Sequence, residues 1–487
     1  MKLAAAVRPG GGARPTLEQV AKDELPRGRL RRTVAVGSVL GREGARYATT
    51  RARNLARSEE EARRALESVH LETAERMVET LGRMKGAALK LGQLASFVDT
   101  EFLPPEYAEL YQRKLAKLRA HAPAMPWRKV RKVLEQELEM PLSEAFAEID
   151  EEAAAAASIG QVHRARLHDG REVAVKVQYP GIAEALRADL QNAGVVLRFA
   201  KAIAPGLDAR AVARELRERF EEELDYELEA QRQRTFARAY RGHPFIYIPD
   251  VITRLSRRLV LVTEWVEGRD FEHVLRLPQA QRDRFGEIVF RYHYGSIYHL
   301  QQFNADAHPG NYLLMSDGRV AFLDFGMTKQ LDREQIQLEV AALEAVIAGD
   351  PERARRALHE LGFLPNPSKV DAERLMEHVR AVAGWYLEDR EVTIDPPLVM
   401  RVIAAMSDPR SGFYDLLRRE SLPANELLGR RMETGVLAVL GKLRATRNWH
   451  RIGREWWFGE EPATELGEAE WEFFERRGTR REPLVRR

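Results

Sequence analysis

The chain of 487 residues contains no cysteine. This excludes disulfide bonds, thiolate metal sites and cysteine nucleophiles, and it suits a reducing compartment such as the cytosol. Lys and Arg number 77 against 74 Asp and Glu, a near balance that does not indicate a nucleic-acid binder. No apolar run reaches the roughly 18 residues of a membrane-spanning helix, and the one after Lys2 is too short for a secretory signal. We therefore expect a cytoplasmic protein without a transmembrane span.

The most informative stretch of the chain runs from Asp306 to Gly326. Asn311 follows Asp306 by five positions, and Asp324 follows Asn311 by thirteen and opens an Asp-Phe-Gly tripeptide. Kinase-type phosphotransferases use this spacing to place one catalytic Asp and two magnesium ligands around a nucleotide. The alternative is a chance turn followed by a strand. Two acids and an amide in this register favour a phosphate and metal site.

A second candidate is Lys176, inside the strand-like segment 173–177. Alternation along a strand places the three valines of this segment on one face and Lys176 on the other. A lysine in an apolar strand is costly to bury without an anionic partner. An edge-strand lysine that faces water would be the better interpretation for this segment in isolation. With the downstream Asp/Asn/Asp spacing, we predict that Lys176 contacts nucleotide phosphates and a glutamate on a helix.

The region 210–240 is predicted to be helical, and it contains the candidate glutamates. Apolar residues recur at every fourth position of this region and would form one stripe on a helix: Val212, Leu216, Phe220 and Leu224. At about 100° per residue, Glu223 and Glu227 project within that stripe. Glu223 is the first candidate partner for Lys176, and Glu227 is the second. On a regular helix Asp225 would point away from that stripe, so helix geometry assigns it no role at the site.

A Gly-x-Gly-x-x-Gly phosphate loop is missing before the Lys176 strand. An alanine-rich stretch, 153–162, occupies that place and contains Ser158 and Gly160. Small side chains let backbone amides approach phosphates. Considered without its neighbours, however, such a stretch is more typical of a helix or a linker.

Together these motifs resemble those of the UbiB/AarF atypical kinase family, which is tied to ubiquinone and isoprenoid-lipid metabolism. The resemblance covers about 60–440 and rests on several segments: Ala-Ala-Ser-Ile-Gly-Gln-Val-His at 156–163, Val-Ala-Val-Lys-Val-Gln-Tyr-Pro-Gly at 173–181, Glu-Leu-Asp-Tyr at 223–226, Asp-Ala-His-Pro-Gly-Asn at 306–311, and Asp-Phe-Gly. The family's Lys-x-Gly-Gln signature is matched by Lys90 to Gln93, which are three apart and so share one face of a helix. The segment 434–449 resembles the closing part of bacterial members.

The resemblance implies a role for each matched residue. Asp306 takes the position of the catalytic base, and Asn311 and Asp324 those of the magnesium ligands. The residues expected at the nucleotide are Ala157, Ser158, Ile159, Gly160, Lys176, Glu264, Asn311 and Asp324. Glu223 and Asp225 match a Glu-x-Asp motif, in which Glu223 supports catalysis. Lys90, Gln93 and Asp225 are expected to regulate the site, and Lys90 and Gln93 to cover the cleft and disfavour a protein substrate.

We therefore predict an α+β, protein-kinase-like bilobal fold with an N-terminal helical extension. The expected divisions are a basic, flexible arm at 1–57, the extension at 58–125, a small lobe at 126–268, a large helical lobe at 269–445 and an aromatic and basic tail at 446–487. Two features depart from the family pattern. Asn304 replaces a His two positions before Asp306, and the C-terminal membrane helices of some relatives have no counterpart. The tail can pack on the large lobe, which we favour, or lie at a lipid interface.

The predicted function is that of a kinase or ATPase that uses ATP and Mg²⁺. Its acceptor would be a small molecule or an isoprenoid lipid, with peripheral contact to an anionic membrane. Two alternatives stay open: a conventional small-molecule phosphotransferase, such as a relative of aminoglycoside kinases, and a nucleotide-gated regulator or chaperone of lipid-handling enzymes. The sequence does not identify the acceptor or the oligomeric state.

Overall fold

The computed structural model describes residues 125–157, 159–184, 187, 218, 221–407, 411–417, 419–420, 423 and 426–478. The predicted arm and nearly all of the predicted extension lie outside these residues, and so do Lys90, Gln93 and Ser158.

The small lobe combines an antiparallel sheet with two long helices. Its elements, in chain order, are α1 (Trp127–Leu138), α2 (Leu142–Ala145), β1 (Glu148–Ile149), β2 (Ala155–Ala156), β3 (Gly160–Arg166), β4 (Glu172–Gln178), α3 (Tyr226–Ala239), β5 (Ile246–Tyr247) and β6 (Val260–Glu264). Strands β1, β3, β4 and β6 are neighbours in that order, and β2 pairs with β3 in the same five-stranded sheet. β5 follows α3 in the chain but pairs in a separate sheet with strands of the large lobe.

Strand β4 lies in the interior of this sheet, between β3 and β6. Val173, Val175 and Val177 are fully buried and pack against the apolar face of α1, as the alternation predicts. Lys176 is on the opposite face, where its side chain is only 15% exposed. The interpretation of an edge-strand lysine that faces water is therefore wrong, because β4 has a hydrogen-bonded neighbour on each side.

The alanine-rich stretch forms a hairpin between β2 and β3. Ala155 and Ala156 pair with β3, and the Ala157 amide donates to the Gly160 carbonyl at 2.9 Å across the turn. Gly160 begins β3 where two backbones approach closely, since a Cβ placed on it would lie 2.0 Å from the Val177 carbonyl oxygen. The pairing excludes a helix for the described residues of this stretch, and phosphate binding by it stays a prediction.

The predicted helix over 210–240 is interrupted among the residues that the structure describes. The chain is helical at 221–223, turns at Leu224 and begins α3 at Tyr226. Asp225 is the N-cap of α3, because its carboxylate accepts the Glu227 amide at 3.0 Å and the Leu228 amide at 3.2 Å. Because of this break, residues 221–223 and the residues of α3 do not lie on one continuous helical face.

The large lobe is mainly helical. Its elements are α4 (Phe271–Val274), α5 (Gln279–Phe290), a π-helical turn (Arg291–Gly295), α6 (Ser296–Leu300), β7 (Gln302–Asn304), a 3₁₀ turn (Pro309–Asn311), β8 (Tyr312–Leu314), β9 (Val320–Phe322), β10 (Thr328–Gln330), α7 (Arg333–Ile347), α8 (Pro351–Glu360), α9 (Ala372–Leu387), β11 (Val392–Thr393), α10 (Pro396–Ser407), α11 (Tyr414–Leu417), α12 (Leu427–Leu443), β12 (Thr446–Arg447), α13 (Trp449–Trp457) and α14 (Glu465–Arg476). Among the residues placed by the structure, none of these helices is long and apolar enough to cross a bilayer.

The predicted division at Gly268 does not separate the two cores. The second half of α3 and the strand β5 belong to the core of the large lobe, through Phe236, Tyr240 and Ile246. β5 pairs in parallel with β9, which precedes the Asp-Phe-Gly segment. The bilobal α+β prediction is confirmed, but the chain enters the large lobe before it completes the small one with β6.

The aromatic tail packs inside the large lobe, as favoured above. Trp449 and Trp457 are almost completely buried, and they share one apolar core with Phe473 and Phe474 of α14. Trp449 also donates its indole N–H to the Val392 carbonyl at 3.0 Å. The tail is thus a part of the fold, and its buried tryptophans are not placed to contact a lipid.

A buried arginine joins this tail to the π-helical turn. Arg291 is fully buried and pairs with Glu287 at 2.9 Å and with Glu455 and Glu470 at 2.8 Å. Its partners come from α5, α13 and α14. Burial lowers the pKa of Arg291, but the three carboxylates outweigh that effect and raise it, so the side chain stays charged.

Replacing Gly160 by Ala should destabilise the protein by about 1–3 kcal/mol, because the new methyl group would overlap the Val177 carbonyl. Denaturant unfolding measures this. Gly429→Ala in α12 is the control, since a Cβ there meets nothing closer than 3.6 Å. That control should be neutral or stabilising, because Ala favours helix. Equal midpoints for Gly160→Ala and the native protein would contradict the close approach.

Arg291→Met should cost about 3–5 kcal/mol, because it leaves carboxylates buried without their cation. Circular dichroism during denaturant unfolding would give the midpoint shift. Arg451→Met is the matched control, because the Arg451 side chain is 62% exposed and pairs with Asp389 on the surface. Similar midpoints for the two variants would show that the buried cluster does not hold the tail.

Candidate functional site

The site is built around the ammonium group of Lys176. Its Nζ atom donates to both carboxylate oxygens of Glu229, at 2.8 and 3.1 Å, and to Asp324 Oδ2 at 3.3 Å. Burial lowers the pKa of Lys176, but the negative charges of Asp324 and Glu229 outweigh it and hold that pKa well above its ordinary value. The lysine is therefore charged, and it connects strand β4, helix α3 and the Asp-Phe-Gly segment.

The glutamate that pairs with Lys176 is Glu229, and the predictions of Glu223 and Glu227 were wrong on this point. Glu229 is only 3% exposed, whereas Glu227 faces solvent in the first turn of α3. The prediction extended one helical face from Val212 through Glu227, but the break at Leu224 and Asp225 starts a new helix with a new phase. The signal was available, because an Asp before a helical segment is a typical N-cap.

Glu223 and Asp225 lie close to the site without pairing with Lys176. A Cβ placed on Gly326 would be 3.8 Å from Glu223 Cγ, so Glu223 stands beside the glycine of Asp-Phe-Gly. Arg232 of α3 donates to the Gly326 carbonyl at 3.0 Å and to Glu222 at 2.6 Å. Asp225 has the structural role of a helix cap, which the prediction could not assign.

The catalytic-loop candidates Asp306 and Asn311 are in direct contact. Asn311 Nδ2 donates to Asp306 Oδ2 at 2.7 Å, and Arg431 of α12 donates to Asp306 Oδ1 at 2.7 Å. Burial alone would raise the pKa of Asp306, but the charge and hydrogen bond of Arg431 lower it below its ordinary value. Asp306 is thus ionised and held at both oxygens. Arg431 was not predicted from the sequence, because it lies 125 positions from Asp306 and no local pattern marks it as a partner.

Asn304 joins the catalytic loop to the Asp-Phe-Gly segment. Its Oδ1 accepts the Asp306 amide at 2.9 Å, and its Nδ2 donates to the Asp324 carbonyl at 2.6 Å. Asn304, which departs from the family's His, therefore supports the loop through the Asp306 amide.

A neutral histidine fixes the backbone at Asn304. Burial lowers the pKa of His293 to about 4. His293 Nδ1 must then donate to the Asn304 carbonyl at 2.8 Å, and its Nε2 accepts from the Tyr312 hydroxyl at 2.9 Å. The π-helical turn that carries His293 is thus tied to the start of the catalytic loop.

The two candidate magnesium ligands are brought to one end of a hairpin. β8 pairs with β9, and the Leu323 amide donates to the Asn311 carbonyl at 3.1 Å, which places Asn311 beside the residue before Asp324. A carboxylate and an amide oxygen suit Mg²⁺, which commonly takes only one or two protein carboxylates and completes its shell with water and phosphate. No group of three His, Cys, Asp or Glu able to hold a metal occurs in the part of the chain that the structure covers. The donor set therefore fits Mg²⁺ held jointly with a phosphate ligand.

The remaining nucleotide candidates belong to the small-lobe sheet. In the β3–β4 pairing Val162 is opposite Lys176, so the turn at Ala157, Ile159 and Gly160 lies just beyond the lysine. The carboxylate of Glu264 accepts the Tyr247 hydroxyl and the Asp250 amide, both at 2.9 Å. That side chain therefore links β6 to the β5 segment, and a nucleotide contact by Glu264 stays a prediction.

Comparison with known proteins agrees with this geometry. Residues 117–358 match the model of the ABC1 atypical kinase-like domain. The chain is 29% identical over 411 residues to the mitochondrial atypical kinase coq-8 of Caenorhabditis elegans, and 32% identical over 321 residues to mitochondrial atypical kinase COQ8B of Rattus norvegicus. These alignments cover 80% and 64% of this chain, but only 52% and 60% of the relatives' own lengths.

A solved structure shares the fold of this chain. It is titled as the complex of Rv3197 with erythromycin from Mycobacterium tuberculosis and is 32% identical, with a TM-score of 0.59. The match covers 82% of this chain and 98% of that one. The kinase-like bilobal fold is thereby confirmed.

Glu229→Gln should weaken the site, because it removes the charge that holds the Lys176 ammonium at 2.8 Å. We expect a loss of about 1–3 kcal/mol in unfolding free energy, together with weaker nucleotide binding. Thermal unfolding with and without MgATP measures both effects. Glu227→Gln, the same change at the exposed position two residues earlier, should match the native protein. Equal effects of the two substitutions would contradict the assignment of Glu229.

Proposed function

The chain belongs to the ABC1 atypical kinase-like family, also known as UbiB/AarF, and we propose that it binds MgATP and transfers or hydrolyses the terminal phosphate. The observation that carries this proposal is the pairing of the buried Lys176 with both Glu229 and Asp324. Phosphoryl transfer by protein kinases requires an ion pair between a strand lysine and a helix glutamate, and it requires the aspartate of Asp-Phe-Gly at the Mg²⁺ ion.

The proposed roles follow from the contacts of each side chain. Lys176 would bind nucleotide phosphates, with its charge secured by Glu229. Asp324 and Asn311 would hold Mg²⁺, which when bound neutralises charge on the phosphate oxygens. Asp306, ionised and oriented by its two donors, would accept the proton of an attacking hydroxyl or orient a water. Asn304 keeps the base and the metal ligand in a fixed relation through one amide group.

We propose a small molecule or an isoprenoid lipid as the acceptor. The family's link to ubiquinone biosynthesis supports this class. The relative whose structure is titled as an erythromycin complex suggests a macrolide as a second ligand to test. A peripheral contact with an anionic membrane is also proposed, and it would need a surface other than the buried tryptophans of the tail.

The principal alternative is a nucleotide-gated regulator of lipid-handling enzymes. Such a protein would bind MgATP through the same residues and change its affinity for a partner or a membrane, with little turnover. A conventional small-molecule phosphotransferase shares the Asp/Asn/Asp spacing, but it would not need the Lys90 to Gln93 signature.

Asp324→Asn should lower MgATP turnover by roughly 100-fold or more, since even residues that only support metal ligands contribute about 10- to 100-fold. The measurement is phosphate release, with and without anionic liposomes, quinone precursors or erythromycin, alongside a nucleotide-dependent thermal shift. The control is Asp317→Asn, because Asp317 lies in the β8–β9 turn and pairs with Arg319 near the surface.

The outcomes separate the candidate functions. Turnover that is lost only in Asp324→Asn supports a catalytic magnesium site. A magnesium-dependent thermal shift without turnover under any condition would replace the enzyme with the nucleotide-gated regulator. In the same assay, Lys90→Ala distinguishes a restraining residue, whose loss raises turnover, from a participating one, whose loss lowers it.

A further inference from the structure

Arg431 contacts the candidate base from a distant helix. Its Nη2 atom donates to Asp306 Oδ1 at 2.7 Å, and each of the two side chains is only 16% exposed. Asn311 holds the other oxygen of Asp306. A carboxylate oxygen can accept two hydrogen bonds, so each still has capacity for the hydroxyl of an acceptor. The guanidinium therefore orients the carboxylate without blocking it.

The catalytic loop itself supplies no Lys or Arg between Asp306 and Asn311, since the intervening sequence is Ala-His-Pro-Gly. His308 in this segment uses Nδ1 to accept the Gly310 amide, a contact that shapes the loop. A permanently charged partner for Asp306 comes instead from the first half of α12. Arginine suits that position, because its planar group keeps its charge when buried.

A second contact on the same face of α12 fixes the distance between helix and loop. A Cβ placed on Gly435 would lie 3.0 Å from Ala307 Cβ and 3.4 Å from the Ala307 carbonyl oxygen. Gly435 is one helical turn beyond Arg431, so both residues face the catalytic loop. Between and after them, Met432, Val436 and Leu440 are buried in the core of the large lobe. The helix is thus anchored on one side and meets Asp306 and Ala307 on another.

We propose that Arg431 is a positioning residue for the phosphoryl-transfer step, and that Gly435 brings α12 close enough for it to act. This inference rests on the proposed function, and it extends the machinery to a helix outside the Lys176, Asp306, Asn311 and Asp324 set. Arg431 acts through Asp306, whose orientation toward the attacking oxygen it holds. Loss of this restraint lowers the rate of the chemical step and leaves the binding of nucleotide to the small lobe intact.

The test compares Arg431→Gln and Arg431→Lys with Lys442→Gln, which removes one charge from an exposed position of the same helix. Arg431→Gln is expected to lower kcat by about 100-fold, as misplacement of a catalytic group does, with KM for ATP unchanged. Arg431→Lys restores part of the rate. Gly435→Ala lowers kcat in the same way and keeps the nucleotide-dependent thermal shift, whereas Lys442→Gln behaves as the native protein does.

A double-mutant cycle with Asp306→Asn isolates the pair. If Arg431 acts through Asp306, Arg431→Gln causes no further loss of rate in the Asp306→Asn protein, and the Tm changes of the two substitutions are not additive. Native kcat in Arg431→Gln, a rise in KM alone, or additive effects on both rate and Tm would overturn the inference and leave the proposed function standing. If the native protein shows no turnover at all, that result would instead contradict the proposed function, and with it the positioning role of Arg431.

Discussion

A buried cation determines the arrangement of the site. Lys176 projects from an internal strand of the small-lobe sheet and cannot reach water freely, so its charge requires carboxylates from elsewhere in the fold. Glu229 comes from α3, and Asp324 comes from the large lobe. Because an unpaired buried charge is far costlier than a paired one, the strand, the helix and the Asp-Phe-Gly segment are held together. The same pairing keeps the ammonium charged where a phosphate would bind.

In the large lobe, side chains from several elements hold the Asp306 carboxylate of the catalytic loop. Asp306 needs to be ionised and oriented, and the side chains of Arg431 and Asn311 meet both conditions by donating to its two carboxylate oxygens. Asn304 links the Asp306 amide to the Asp324 carbonyl, and neutral His293 holds the Asn304 carbonyl in turn. The result is a connected set of hydrogen bonds from the π-helical turn to the candidate metal ligand. Such networks give fixed geometry to groups that would otherwise sample several rotamers.

The buried tail packs in the same core as residues of the catalytic loop. Arg291 begins the π-helical turn that also carries His293, and its carboxylate partners lie on α5, on the tryptophan-bearing α13 and on α14. The segment that looked like a candidate lipid surface is therefore part of the support for the site. The sequence showed that this segment is aromatic and basic, but only packing decides whether such a segment faces lipid or protein.

The sequence by itself determined the strand that carries Lys176 and the spacing of Asp306, Asn311 and Asp324, because each depends on local alternation or on short separations along the chain. The bilobal fold was predicted from the resemblance that these motifs carry. The sequence did not determine which glutamate meets Lys176, since a cap at Asp225 resets the helical phase and the pairing partner is set by contact with another element. It gave no indication of Arg431, which reaches Asp306 from a helix far along the chain. Tertiary structure decided these pairings because electrostatic partners are selected by distance in space, which no local periodicity records.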